Sequence, residues 1–179
     1  MIKAIVDRKS CRKYNGAPVD DAAVMQLLEA ARLAPSGSNT QPWHFIIIRN
    51  EETKDAIIKA DSNQQWMKGA DVFIACVADI RCRLKDETDI FIDESCGRFE
   101  TKQIIRDTAC AIQNIMLEAA EMGLATCWTG AYKQADMRPI LGVPNDKFIV
   151  GVITIGHMAE DRAHTPRKPL ADMVRYEKW

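Results

Sequence analysis

The chain has 179 residues, of which 47% are apolar and 27% are charged, and its formal net charge is −1. These values are ordinary for a globular protein and suffice for a single domain, residues 1–179, with its own core. Without an excess of positive charge, the composition gives no electrostatic case for binding nucleic acid or an anionic membrane. The apolar runs are too short to span a bilayer, and the N-terminus becomes charged too early for a secretory signal, so we expect a cytoplasmic protein.

Asp20 or Asp21 can cap the first predicted helix, in which apolar residues recur at the spacing of one helical face. It ends before Pro35, since proline disfavours helix at the preceding residue. A turn-rich loop, 35–42, follows and leads directly into a strand, Trp43–Ile48. Two further elements are expected in this half, a helix over 51–59 and a buried strand over 72–78.

The second half contains the strongest helical pattern, 104–122, which is apolar over much of its circumference and ends at Gly123. Such a helix is normally buried in a domain or in a subunit interface. Residues 80–100 are charged and form the least regular stretch, which we interpret as a lid or a short extra helix. The other expected elements are a strand over 125–128, a helix over 136–141 and a strand over 148–155. Helices and strands intermix, so the fold class is α+β or α/β around one sheet.

Metal ligands and catalytic motifs of the common kinds are missing from the sequence. The six cysteines include no CxxC pair, so no metal is expected; Cys76, Cys110 and Cys127 are predicted to be buried thiols. There is no GxGxxG motif after a strand, no phosphate-binding Walker loop and no G-x-S-x-G motif. The acidic residues over 86–94 have no evident partner and are predicted to face water, and His44 is interpreted as structural. A bound cofactor is therefore the expected carrier of the chemistry.

Two segments in the first quarter of the chain could bind a ligand. Residues 8–14 place Arg8 and Arg12 among further cations and a hydroxyl, and guanidinium groups suit a phosphate or a polarised carbonyl. A solvated basic edge is the alternative interpretation. The loop 34–43 offers short polar side chains and backbone N–H groups. It could equally be an ordinary connection between a helix and a strand.

Two later segments could contact the same ligand. The strand over 125–128 ends in Trp128, Thr129 and Gly130, which could place small groups and backbone donors against a flat ring. An aromatic residue at such a position is, however, more often part of the core. Arg167 and Lys168 lie between two prolines, where they could close over the anion that Arg8 contacts or form a surface hinge.

Taken in order, these segments resemble the nitroreductase family of FMN enzymes. Residues 8–12 are similar to the family's R-[RK]-S-x-R segment, and residues 34–45 are similar to its A-P-S-x-x-N-x-Q-P-W-x-F signature. Residues 107–114, followed by 123–128, resemble its central helix and the next strand, and residues 156–157 and 166–170 complete the pattern. The resemblance covers nearly the whole chain, with four motifs in the family's order.

The resemblance implies an α+β, nitroreductase-like fold with a central, mostly antiparallel sheet flanked by helices. It also implies an intertwined homodimer with two FMN sites shared between the subunits. Arg8 and Arg167 would clamp the phosphate, Ser10 and Arg12 would reach the ribityl chain and the pyrimidine edge, and the loop 35–39 would come from the partner. The implied FMN-binding residues are Arg8, Lys9, Ser10, Arg12, Pro35, Ser36, Ser38, Asn39, Asn63, Trp128, Thr129, Gly130, Arg167 and Lys168.

The activity implied is reduction of a small-molecule electron acceptor, such as a nitroaromatic or a quinone, by NADH or NADPH in a ping-pong cycle. The flavin N5 carries the chemistry, so no catalytic side chain is implied. Arg12 would stabilise negative charge on the reduced ring, an interaction worth roughly 1.5–3 kcal/mol. The alternatives are a flavin-binding sensor or carrier without turnover, and a specialised family activity such as reductive dehalogenation or flavin fragmentation. The chain departs from some members by carrying Trp66, not lysine, after Asn63.

Overall fold

Four antiparallel strands form the single sheet in the described part of the computed structural model, which covers residues 1–161 and 163–179. The strands are β1 (Trp43–Ile48), β2 (Val72–Asp79), β3 (Ala125–Thr129) and β4 (Lys147–Gly156). Their order across the sheet is β1-β2-β4-β3, so β2 and β4 are central and β3 is an edge strand.

Five α-helices accompany the sheet in these described ranges. They are α1 (Lys3–Asp7), α2 (Asp21–Arg32), α3 (Glu51–Ala60), α4 (Phe99–Glu121) and α5 (Gln134–Leu141). Side-chain caps fix two helix starts, because Asp20 accepts a hydrogen bond from the Ala22 N–H at 3.1 Å and Asn50 accepts one from the Thr53 N–H at 2.9 Å. Helix α4 ends before Gly123, whose φ of +75° lies in the left-handed region that glycine adopts readily.

The two faces of the sheet are covered by different helices. Along β2, Ile74 and Cys76 pack in the core formed with α2 and α4, whereas Phe73 and Ala75 pack in the core formed with α3 and α5. Because neighbouring residues of a strand point to opposite faces, a strand covered on both sides is apolar on both faces, as β2 is from Val72 to Ala78. The α+β class with a central antiparallel sheet flanked by helices is therefore confirmed.

The segment 80–100, which the sequence leaves as a lid or a short extra helix, forms no α-helix before α4 begins at Phe99. It contains a 3₁₀ turn, Ile80–Cys82, followed by irregular chain that contacts the body of the protein. Arg138 of α5 donates hydrogen bonds to the Ile92 and Lys147 carbonyls, and the Gln134 N–H donates to Glu94. These contacts hold the middle of the segment against α5 and β4.

Two smaller expectations need correction in part. Cys110 is exposed, because it lies on the side of α4 opposite the buried Thr108 and Ile112, whereas Cys76 and Cys127 are buried as predicted. Among the acidic residues over 86–94, Asp86, Asp89 and Glu94 are exposed as predicted, but Glu87 has a partner, since it forms an ion pair with Arg98. No helix in the described part of the chain combines the length and the apolar character needed to cross a bilayer.

Candidate functional site

The segment 10–14 lies along the outer edge of the sheet and is held there by main-chain bonds. The Cys11 N–H donates to the Thr126 carbonyl at 2.8 Å, and Ser10 forms a short parallel bridge with Thr126 of β3. The Tyr14 hydroxyl bonds to Thr154 Oγ1 of β4 at 2.7 Å. These contacts fix the backbone that carries Arg8 to Arg12 against an edge that would otherwise be unpaired.

The two ends of the polypeptide meet at a cavity of about 240 Å³. Arg8, Ser10 and Arg12 line it from the N-terminal side, and Arg167 lines it from the C-terminal side. Lys9 also lines it and forms an ion pair with Asp161. Lys168 is exposed and is not part of the lining. The structure therefore brings together five of the predicted cofactor-binding residues in one place.

The charge of this cavity suits an anion. Lys13 is neutralised by Glu160 at 2.8 Å, but in the described ranges no carboxylate lies within ion-pair distance of Arg8, Arg12 or Arg167. Three guanidinium groups that share a concave surface provide many N–H donors for a phosphate. The residues present therefore fit the phosphate end of FMN.

A buried hydrogen-bond network lies at the end of β3 and reaches this cavity through Arg12. The Asp61 carboxylate, which is fully buried, accepts hydrogen bonds from Thr129 Oγ1 at 2.5 Å and from Gln64 Nε2 at 2.8 Å. Gln64 Oε1 accepts from the Trp66 indole N–H at 2.9 Å, and the Arg12 guanidinium lies 5.6 Å from the centre of the Trp66 ring. Asp61, Gln64, Trp66 and Thr129 thus couple the strand end to the cationic cavity.

Sequence reasoning missed Asp61 and Gln64 and selected their neighbour Asn63. Asn63 is exposed, has a left-handed φ of +54° and accepts a hydrogen bond from the Gln65 side chain. The stretch 61–65 looks like an ordinary polar turn in the sequence. No local signal shows that two of its side chains pair with a strand more than 60 residues away.

The Trp128 side chain is partly exposed and packs against the sheet. Its side chain is 37% exposed, and its indole lies directly over Gly151 of β4, where a Cβ atom would come within 1.9 Å of Trp128 Nε1. The absence of a side chain at position 151 therefore leaves the space that the Trp128 ring occupies. Gly130, which follows the end of β3, is exposed.

We expect Gly151→Ala to destabilise the protein by about 1–3 kcal/mol, because the added methyl group displaces the Trp128 ring. Urea unfolding of the variant measures this change. In a Trp128→Ala background the same substitution should cost much less, since the clashing ring is absent. An equal loss in both backgrounds would contradict this packing.

The thiol of Cys127 faces the same region but is poorly suited to nucleophilic chemistry. Burial raises its pKa above the ordinary value, and the nearby Arg12 and Ser10 oppose that effect only in part. Cys127 is therefore protonated at neutral pH. This agrees with a site in which no side-chain nucleophile is needed.

The remaining predicted residues, Pro35, Ser36, Ser38 and Asn39, lie in a loop that does not line the cavity of the same chain. Gly37 contacts Arg83 and Asp107 instead, and Pro35, Ser38 and Asn39 are exposed. Within one chain, this loop is therefore not part of the cavity that Arg8, Arg12 and Arg167 line.

Comparison with known proteins matches most of the chain to one family. The model of the Nitroreductase family matches residues 5–157. A Methanothermobacter thermautotrophicus protein, provisionally named NADH dehydrogenase/NAD(P)H nitroreductase, is 32% identical over 183 residues, covering 100% of this chain and 87% of that protein. The FMN reductase [NAD(P)H] of Bacillus subtilis is 29% identical over 174 residues, 94% of this chain and 70% of the relative.

A solved structure shows the same fold. The NADPH:FMN oxidoreductase of Vibrio harveyi, complexed with NAD+, superimposes with a TM-score of 0.88 at 21% identity, covering 99% of this chain and 76% of that one. Sequence match and fold agree over nearly the full length, and the chain therefore belongs to the nitroreductase family.

Proposed function

We propose that this chain is an FMN-dependent oxidoreductase that uses NADH or NADPH to reduce a small-molecule acceptor such as a nitroaromatic or a quinone. The observation that carries this proposal is the cavity where Arg8, Arg12 and Arg167 converge without a carboxylate partner in the described ranges. The names of the Bacillus subtilis and Vibrio harveyi relatives support FMN and NAD(P)H as the reactants.

In this proposal Arg8 and Arg167 bind the phosphate, while Ser10 and Arg12 bind the ribityl chain and the pyrimidine edge. Thr129 and Gly130 lie beside the ring near its N5, and Asn63 lies on the pyrimidine side. Lys9 and Trp128 border the same site, whereas Lys168 lies next to Arg167 outside the cavity lining. FMN supplies the hydride acceptor and donor chemistry when it is bound, and Arg12 stabilises the negative charge that accompanies reduction.

A homodimer completes the site, because the loop with Pro35, Ser36, Ser38 and Asn39 lies outside the cavity of its own chain. The exposed apolar side chains support dimerisation, since a monomer rarely leaves many of them uncovered. They include Ile5 and Val6 on α1, and they continue along the C-terminal segment as Leu170, Met173, Val174, Tyr176 and Trp179. The C-terminal segment would cover the partner subunit.

We expect the purified protein to be yellow and its flavin absorbance to bleach when NADH or NADPH is added without oxygen. Adding an acceptor, such as a quinone or a nitroaromatic compound, should restore the colour. Stopped-flow measurement with each nucleotide gives the preferred reductant. A coloured protein that neither nucleotide bleaches would be a flavin carrier, and a protein that does not bind added FMN would contradict the proposal altogether.

A further inference from the structure

The loop that carries Ser36, Ser38 and Asn39 is held at its centre by one ion pair. Arg83 Nη2 lies 3.0 Å from Asp107 Oδ2. The same guanidinium nitrogen donates to the Gly37 carbonyl at 3.2 Å, and Asp107 Oδ1 accepts from the Gly37 N–H at 3.2 Å. Both main-chain polar groups of Gly37 are therefore bound by the two side chains of the pair.

The pair is mostly removed from water. The side chain of Arg83 is 13% exposed and that of Asp107 is 16% exposed. Arg83 Nε is buried without a hydrogen-bond partner among the described residues. Burying a charged pair and leaving one donor unused costs free energy, so the arrangement is not explained by its contribution to stability alone.

The loop itself has a backbone that requires support. Ser38, Asn39 and Gln41 have φ angles of +54°, +53° and +46°, in the left-handed region that side chains with a Cβ atom disfavour. Such conformations persist only where the surroundings hold them, and they concentrate at ligand-binding sites. One further bond helps, since the Gln41 N–H donates to Ser36 Oγ at 2.9 Å.

Gly37 packs closely against the end of the Arg83 side chain. A Cβ atom there would lie 2.7 Å from Arg83 Nη2, which is closer than a carbon and a nitrogen can approach without displacement. A side chain at position 37 would therefore shift the guanidinium group relative to the Gly37 carbonyl. Gly37 and Arg83 therefore fit each other.

We propose that Arg83 and Asp107 are positioning residues that hold the 36–39 loop in the shape that binds FMN. This inference rests on the proposed function, because the loop contacts FMN only in that proposal. It also assigns a role to the start of the segment 80–100. Arg83 follows the 3₁₀ turn Ile80–Cys82, and its N–H donates to the Ile80 carbonyl at 3.0 Å, so its backbone is fixed next to the core.

The test compares Arg83→Ala, Arg83→Lys and Asp107→Asn with a matched control, Arg98→Ala, in the full-length protein. Arg98 lies in the same part of the chain but pairs with Glu87 on the surface and does not touch the loop. FMN affinity is measured by adding FMN to the apo protein and following flavin fluorescence. We expect Arg83→Ala and Asp107→Asn to bind FMN at least tenfold more weakly, Arg83→Lys to recover part of the loss, and Arg98→Ala to match the wild type.

Hydrogen exchange in the apo protein provides a readout that does not depend on activity. In Arg83→Ala the amides of Gly37 and Gln41 should exchange at least tenfold faster, while those of the central strands β2 and β4 are unchanged. Faster exchange throughout the protein would indicate general destabilisation and overturn the positioning role. Faster loop exchange with unchanged FMN affinity, or no change in either, would overturn it as well. If the wild type itself does not bind FMN, the proposed function fails, and the positioning role fails with it.

Discussion

Replacing both Arg8 and Arg167 with alanine should weaken FMN binding by about a hundredfold, with about tenfold, or 1.4 kcal/mol, from each residue. The reason is that both guanidinium groups line one cavity and, among the described residues, no carboxylate lies within ion-pair distance of them, since Glu160 of the same lining pairs with Lys13. The effect should shrink as salt is added, because ions screen the attraction between the cations and a phosphate dianion. Titration of the apo protein with FMN at two salt concentrations measures both quantities.

Lys168→Ala is the matched control, since Lys168 lies next to Arg167 but is not part of the cavity lining. Its effect on FMN affinity should be clearly smaller than that of Arg167→Ala.

Mixed dimers of an Arg8→Ala chain and an Arg83→Ala chain test which subunit supplies the 36–39 loop to each site. If the loop acts across the interface, one site of each mixed dimer combines an unchanged Arg8 with an unchanged loop, and the other site carries both changes. Half of the sites then keep wild-type affinity. If Arg8→Ala and Arg167→Ala each bind FMN as tightly as the wild type, these two residues do not bind its phosphate.

Arg138→Met should lower the free energy of unfolding by about 3 kcal/mol, the largest stability effect that we expect from a single substitution. Arg138 is buried and donates hydrogen bonds to the carbonyls of Ile92 and Lys147. Methionine fills a similar space but leaves these carbonyls without a donor. Urea denaturation of the variant, compared with the wild type, gives the change in unfolding free energy.

Arg98→Met serves as the comparison, because Arg98 is an exposed residue of the same part of the chain and its ion pair with Glu87 lies in water. It should leave stability almost unchanged. Proteolysis offers an independent check, since Arg138→Met should make the irregular chain around Ile92 easier to cut in the native protein. A variant as stable as the wild type would show that Arg138 does not anchor this segment.

The elements that the sequence predicted best are those whose signal is local. The strand Trp43–Ile48 has the expected limits because a proline-containing loop and a polar turn bound it. Helix α4 begins at Phe99, five residues before the predicted start at 104, because its first turns are charged and show no apolar face. The short helix α1 was not predicted at all, since five residues carry too little periodicity.

The residues of the candidate site also differ in whether a local sequence signal identifies them. Arg8, Ser10, Arg12 and Arg167 could be selected because they occur in motifs, and the structure brings them to one cavity. Asp61, Gln64 and Arg83 could not, because each acquires its partner only when distant segments pack together. Asp61 meets Thr129 across 68 residues, and Arg83 meets Gly37 across 46.

Among the described residues, the three buried cores contain none beyond Met158, whereas Arg167 comes from the segment after it. The apolar packing of the sheet and helices is therefore built without that segment. If Arg167 binds the flavin phosphate as we propose, cofactor affinity depends on a part of the chain that the interior does not need, and the two properties can be altered separately by substitution.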